Sequence, residues 1–524
     1  MPRPRSPAED PAPCALVGAR EVALALVVVA YLATRLWRLT ALPMFFDEAT
    51  HLLWGERWTG PQGLVRALAA GKLLHVAAVG VALRLVPDAL WAGRFATVVV
   101  GCAGLTGAFA LGRRVGGFPA GLQTVALVVA CPFLLFHDRM ALGDGFVSAL
   151  TPIVLAAAVR LCDEPRTARG VVLGLALAAT GAAKILGLIV WVYPLVAIAL
   201  LSPRDGRAWR ALALAWGLAG SLLVMPLGVF LARSGEIENK AALGGQGRLA
   251  LAARNASLAA EWLWPYCTPG LVIVGLVATA VALARRRPVE LLLVFAWTFP
   301  LAVFILGAAV WYPRYVVFAT VPFLSLAAGL LAEMQARARG RVARSAALAV
   351  TAVLFVPAVA WDARLLREPS SARLPEVDRW QYVEGWPSGY GWRDSFELLA
   401  REKAASGRPL RVVTERLHWT LKAYFIGEPS VTVKGFDFDD PSWAKRAAAW
   451  VGSGQGWLVT SGPAPPDPPP GLVLRHAAGF RKPGGEKAVN VYRLEVMTAS
   501  PAPCPPVDLR ASGDSAPRPR QRCP

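Results

Sequence analysis

The sequence predicts an all-α polytopic membrane protein of about eleven transmembrane helices, followed by a C-terminal extracytoplasmic α/β domain. Three observations predict it. The chain is too apolar for a soluble domain, with 55% of its 524 residues hydrophobic and only 17% charged, where roughly 45–50% and about 25% are usual. Apolar runs able to cross a hydrocarbon core of about 30 Å recur along most of its length. Finally, Lys and Arg concentrate in every second connection, which is how orientation in a membrane is encoded.

The first run, Val22–Leu39, follows a polar, Pro-rich segment and is expected to be retained as an anchor, not cleaved as a signal. The connection after it, Thr40–Leu90, contains Leu73–Val86, which is too short to span and is broken by Arg84; a helix lying along the outer surface suits it. Further runs are Trp91–Gly112, Ala120–Phe136, Gly145–Leu161, Gly170–Leu201, Ala211–Ala232, Leu271–Ala284, Val289–Val310, Val316–Met334 and Ala346–Trp361. Gly170–Leu201 exceeds one span and is expected to turn near Lys184.

With the N-terminus inside, the six inner segments carry Arg3, Arg5 and Arg20; Arg113 and Arg114; Arg160, Arg166 and Arg169; Arg204, Arg207 and Arg210; Arg285, Arg286 and Arg287; and Arg337, Arg339, Arg341 and Arg344. These are 18 of the 55 basic residues, so the net charge of +20 reads as an orientation signal and not as a nucleic-acid footprint. The protein is therefore expected in the cytoplasmic (inner) membrane among its lipids, with no nucleic-acid partner. The expected division is a cytoplasmic segment over 1–20, the membrane domain over 21–361, an α/β domain over 362–496 and a disordered tail over 497–524. In the α/β domain, β-rich runs at Leu410–Thr414, Ser430–Val433, Gly456–Thr460 and Val489–Leu494 alternate with helical stretches at Asp394–Ala405 and Trp443–Val451. An odd number of spans places this domain outside. Cys504 and Cys523, in the tail, would be able to pair in an oxidising compartment.

Ionisable residues near a bilayer are costly to bury, and function is a common reason for keeping them. Four groups fall on the predicted outer side. Asp47 and Glu48 follow the first span; Asp47 shares a helix face with His51, and either acid would serve as a general base or simply start a helix. Lys72 and His75 begin the interfacial helix, where a lysine either snorkels or holds an anion. His137, Asp138, Arg139 and Asp144 make a dense polar connection between spans. Arg314 and Tyr315 enter a span from outside, offering a guanidinium fork and a hydroxyl suited to phosphate, or an aromatic belt with a basic flank. Lys184 joins them if its turn lies at the same surface. The loop Arg233–Pro269, with Trp262, Trp264 and Tyr266, is expected to shape an acceptor side.

The ordered set Phe46-Asp47-Glu48, Lys72-Leu73-Leu74, Arg94-Phe95-Ala96, Gly112-Arg113-Arg114, Arg139-x-Ala141-Leu142-x-Asp144, Gly181-x-x-Lys184 and Arg314-Tyr315 resembles the GT-C superfamily of integral-membrane glycosyltransferases. Within it the resemblance is to the protein O-mannosyltransferase-like and lipid A aminoarabinose transferase-like branch, over roughly Val22–Met334. It implies transfer of one sugar, with inversion, from a polyprenyl-phosphate-sugar donor to a hydroxyl of a lipid, glycan or protein acceptor at the outer membrane face. Asp47 would be the base with Glu48 beside it, and Asp144 a second acid. Lys72, Arg314, Tyr315 and Lys184 would hold the donor phosphate, with His51, His75, His137 and Arg139 as accessory groups. The chain departs from many relatives at His51, where they carry an aromatic residue, and in lacking a diproline after Lys72. The three histidines would also be able to bind a divalent metal with Asp47 or Asp144. Two other classes, a flippase or transporter of lipid-linked sugars and an inactive lipid-binding subunit, fit the same charges; transporters favour the bilayer midplane over one face.

Overall fold

The computed structural model describes residues 18–233, 247–415, 419–452, 455–462, 472–485 and 488–496. Arg3, Arg5, Cys504, Cys523 and the tail from 497 onward lie outside the described residues. The chain is a polytopic helical bundle carrying a small C-terminal sheet. Its helices are α1 Ala19–Leu36, α2 Phe46–Glu56, α3 Pro61–Ala69, α4 Leu73–Leu85, α5 Ala89–Ala130, α6 Pro132–Asp138, α7 Gly143–Asp163, α8 Thr167–Ala183, α9 Tyr193–Leu201 and α10 Gly206–Arg233. They continue with α11 Arg248–Cys267, α12 Pro269–Arg285, α13 Pro288–Gly307, α14 Thr320–Arg337 and α15 Gly340–Arg367.

Six segments among the described residues are long and apolar enough to cross a membrane: α5, α7, α10, α13, Pro313–Arg337 and α15. The ten expected runs, about eleven spans, map onto these and onto shorter pieces for identifiable reasons. Two of the runs join in α5, which bends at Gly116–Gly117. Gly117 has φ +72°, a left-handed conformation that suits glycine, and the bend falls beside Arg113 and Arg114, where a turn was expected. The long Gly170–Leu201 run breaks at Lys184, as expected, into α8 and a 3₁₀ segment, Ile185–Val192, that leads into α9. The first run, α1, includes Arg20, Glu21 and Arg35. Helices α11 and α12 meet at 114° around Thr268, so most of the expected loop Arg233–Pro269 is a helix, with Trp262 and Tyr266 buried and Trp264 exposed.

Buried charge locks the start of the bundle. The guanidinium of Arg35 donates to the carbonyls of Val128 and Val129 and, at 3.4 Å, to Asp138, which also accepts from the Tyr31 hydroxyl. Arg139 donates to the carbonyls of Thr34, Arg35, Trp37 and Arg38. It thereby satisfies the open carbonyls that end any helix, here those of α1. The dense polar connection His137–Asp144 is thus a buried clamp.

In the C-terminal domain α16, Glu376–Arg379, continues as a π-helical turn, Trp380–Glu384; α17 is Trp392–Ser406, α18 Trp419–Tyr424 and α19 Trp443–Val451. Strands β1 Leu410–Thr414, β2 Val431–Gly435, β3 Gln455–Ser461, β4 Leu472–Arg481 and β5 Ala488–Val496 form one sheet in the order β2-β1-β3-β5-β4. The first three are parallel, and β5 and β4 are added antiparallel. Four strands and two helices match the expected segments. The strand not expected, β4, is an edge strand with several exposed polar positions and a bulge at His476–Ala478, so it lacks alternating hydrophobicity.

The domain is seated on the chain just ahead of Asp47. Arg393 reaches the carbonyls of Thr40, Ala41 and Leu42, the Tyr424 hydroxyl accepts from Met44 N–H, and Phe46 N–H donates to the Pro387 carbonyl. Gly389 lies so close that a Cβ there would fall 2.2 Å from the Met44 carbonyl oxygen. Gly389→Ala is expected to cost about 1–3 kcal/mol and to loosen this seat. A lowered thermal midpoint of the detergent-solubilised protein checks it, and an unchanged midpoint would refute it.

Candidate active site

The two adjacent acids at the start of α2 point in different directions, as a helix requires. Glu48 turns inward and is fully buried. Its oxygens accept from Arg94 Nε at 2.8 Å and Nη2 at 2.7 Å, from Ala141 N–H at 2.8 Å and from Phe45 N–H at 3.0 Å. Arg94 itself donates to the carbonyls of Leu39, Leu42 and Pro43. Glu48 is therefore saturated and lies away from solvent, joining the approach to α2, helix α5 and the Ala141 turn.

Asp47 instead faces a cavity of about 640 Å³, and His51, one turn on, lines it too. Asp47 Oδ2 accepts from Arg314 Nη2 at 3.1 Å, and its side chain is 36% exposed. Across the cavity Asp144, in the first turn of α7, accepts from Lys184 Nζ at 2.6 Å. The break in helix at Lys184 is what frees its side chain to reach in. The ammonium of Lys184 lies 4.4 Å from the ring centre of Tyr315, and Arg314 lies 4.7 Å from that of Tyr312, within the range of cation–π attraction. The other wall is apolar, including Phe230, Val303, Phe304 and Val310.

The histidines divide. His51 Nδ1 lies 2.9 Å from the Ala141 carbonyl oxygen, which accepts only, so Nδ1 carries the proton. Nε2 is then an acceptor, and it takes a hydrogen bond from Lys72 Nζ at 2.8 Å. Burial and the nearby Lys72 hold His51 well below the usual histidine range, which keeps this neutral tautomer. Burial lowers Lys72 to about 8, against the opposing pull of Asp47. His75 lies behind His51, ring centres 4.8 Å apart, with both ring nitrogens buried; burial lowers it to about 3. His137 belongs to a separate aromatic cluster with Phe133, Phe136 and Tyr266. Among the described residues no three His, Cys, Asp or Glu side chains are placed to hold a metal ion, and the three histidines do not converge on Asp47 or Asp144.

Thus Asp47, His51, Lys72, Asp144, Lys184, Arg314 and Tyr315 meet in one cavity, while Glu48, His75, His137 and Arg139 lie in the surrounding frame. Two residues of the C-terminal domain complete the site. Arg314 Nη1 donates to Gln381 Oε1 at 2.5 Å and lies 3.5 Å from the Tyr382 hydroxyl. Sequence reasoning missed both because nothing local marks them; they arrive by folding back from a different domain. Arg94 stood in a quoted motif without a role, and its buried partner supplies one.

A bundle of broken apolar helices, an acid opening the connection after α1 and a small domain seated over it make up the frame of this site. No protein-family model and no curated protein matches the chain, but 22 chains of solved structures do. One is ArnT from Cupriavidus metallidurans bound to undecaprenyl phosphate, with a TM-score of 0.53 and 17% identity over 90% of this chain and 97% of that one. Another is the archaeal oligosaccharyltransferase AglB from Archaeoglobus fulgidus in complex with an inhibitory peptide and a dolichol-phosphate, with a TM-score of 0.52 and 12% identity over 84% of this chain and 69% of that one. The Archaeoglobus fulgidus oligosaccharyltransferase in complex with Zn and sulfate gives 0.53 and 13%, over 84% and 68%. At such identities the likeness is one of fold.

Proposed function

We propose that the protein is a glycosyltransferase of the cytoplasmic membrane that moves one sugar from a polyprenyl-phosphate-linked donor to a hydroxyl of an envelope lipid, glycan or protein at the outer face. The observation that carries this reading is the single cavity in which two carboxylates and three cations, Lys72, Lys184 and Arg314, sit beside an apolar wall. A lipid phosphate needs both surfaces. That two proteins of the same fold are described with undecaprenyl phosphate and dolichol-phosphate supports it.

In this reading the cations hold the donor phosphate and Tyr315 sits against it. The acceptor hydroxyl binds at Asp47, which keeps one carboxylate oxygen beyond the one paired with Arg314. The acceptor oxygen attacks the anomeric carbon from the face opposite the phosphate, so one C–O bond forms as the other breaks and configuration inverts. Asp47 takes the hydroxyl proton, and the polyprenyl phosphate leaves with its new charge placed among the cations. Positive charge fixed where negative charge develops lowers the barrier without reorganisation at the moment of reaction. Asp144 orients Lys184 for this task.

Lys72 supplies a pH signature. Because it loses its proton as pH rises through about 8, the attraction for donor phosphate is present below that pH and fades above it. The donor KM is expected to rise through this range, with a smaller rise in Lys72→Arg, whose guanidinium stays charged. Measuring KM against pH with a purified polyprenyl-phosphate-sugar checks this. Identical flat profiles in both proteins would refute the role of Lys72. The reading as a whole is tested by incubating the protein with labelled polyprenyl-phosphate-sugars and an envelope lipid and glycan extract; no transfer from any donor would overturn it.

A further inference from the structure

A second pocket, of about 270 Å³, lies at the other end of the bundle. Its Glu290 stands in the first turn of α13, and Phe304 of the catalytic cavity stands in the last, about 21 Å apart at the rise of an α-helix. The floor is apolar, built by residues such as Val115 and Leu330, and the rim carries Arg285, Arg287, Glu290 and Glu333.

The two rim acids differ. Glu333 is saturated, with Arg285 on one oxygen and Arg337 on the other, each at 2.5 Å. Glu290 is only 6% exposed. One of its oxygens faces Arg287 at 3.3 Å, whereas the other is buried and accepts from no described group. A buried carboxylate oxygen without a donor is costly, so such a group marks a place where an N–H from elsewhere is accommodated. Arg287 adds a guanidinium that is 58% exposed at the mouth. The pocket therefore offers an acceptor inside, a cation at the rim and an apolar floor.

We infer that this pocket binds the headgroup of a membrane aminophospholipid, whose primary ammonium donates to Glu290 and whose phosphate pairs with Arg287. The match is chemical: an ethanolamine phosphate carries an N–H donor and an anion two carbons apart. A choline headgroup has the same charges and no N–H; a glycerol headgroup has the phosphate and no cation.

The test titrates the purified full chain in detergent with short-chain phosphatidylethanolamine, phosphatidylcholine or phosphatidylglycerol, and with free O-phosphoethanolamine, reading bound lipid by native mass spectrometry. Phosphatidylethanolamine is expected to bind about tenfold more tightly than the other two lipids, as one charge-assisted hydrogen bond provides. Glu290→Gln is expected to erase most of that preference, and Arg287→Gln to weaken all three lipids. Equal affinities, or a preference that survives Glu290→Gln, would overturn the inference. Free O-phosphoethanolamine binding as tightly as the lipid would overturn the membrane source. Should Glu290→Gln fail to fold, Arg287→Gln alters an exposed side chain and decides alone: undiminished phosphatidylethanolamine binding sinks the proposal.

Discussion

Asp47→Asn is expected to reduce sugar transfer by roughly 10²–10⁴-fold, the usual contribution of a positioned general base, while leaving the protein folded. Both halves follow from position. The carboxylate faces the cavity, so its loss removes the proton acceptor; asparagine keeps the shape and can still accept from Arg314. The Asp47–Arg314 pair is partly open to the cavity, with Asp47 36% exposed, so its contribution to stability is about 1 kcal/mol or less. The measurement is a rate with a polyprenyl-phosphate-sugar donor beside a thermal midpoint. Wild-type turnover in the variant would remove Asp47 from the chemistry.

One residue along, Glu48→Gln is expected to act mainly on stability. It leaves Arg94 as a buried charge among three carbonyls, and breaking such a pair costs about 3–5 kcal/mol. It also sets an amide NH₂ against two donors that need an acceptor, either Arg94 Nε with Ala141 N–H or Arg94 Nη2 with Phe45 N–H, depending on which way the amide turns. The thermal midpoint of Glu48→Gln should fall well below that of Asp47→Asn. Activity should fall with it, because Ala141 also fixes the His51 tautomer. A Glu48→Gln protein with an unchanged midpoint and no transfer would return Glu48 to the chemistry as a reacting group.

Much of this arrangement was legible in the residue pattern. The spacing of Asp47 and His51 placed both on one face, and both line the cavity. Lys184, in a run too long to be one helix, marked a break, and the break is what turns it toward Asp144. The pattern was silent on the division between Asp47 and Glu48, since two adjacent acids carry no mark of which one finds a buried arginine far along the chain. It was silent for the same reason on Gln381 and Tyr382. The density of charge at His137–Asp144 marked the stretch as unusual without showing why: Arg139 and Asp138 are buried by pairing with the backbone and side chains of neighbouring helices. Charged side chains inside a bundle look like a loop until their partners are known.

The hold of Gln381 on Arg314 carries one more consequence. A protein cut after Trp361 would retain every acid and cation named as lining the cavity, yet Arg314 would lose its fixed orientation and Asp47 the support beneath its helix. If the proposed transfer is what the protein does, the smallest active chain is therefore longer than the membrane bundle. Grafting a foreign C-terminal domain onto the bundle would succeed only if the graft brought its own acceptor to the same guanidinium.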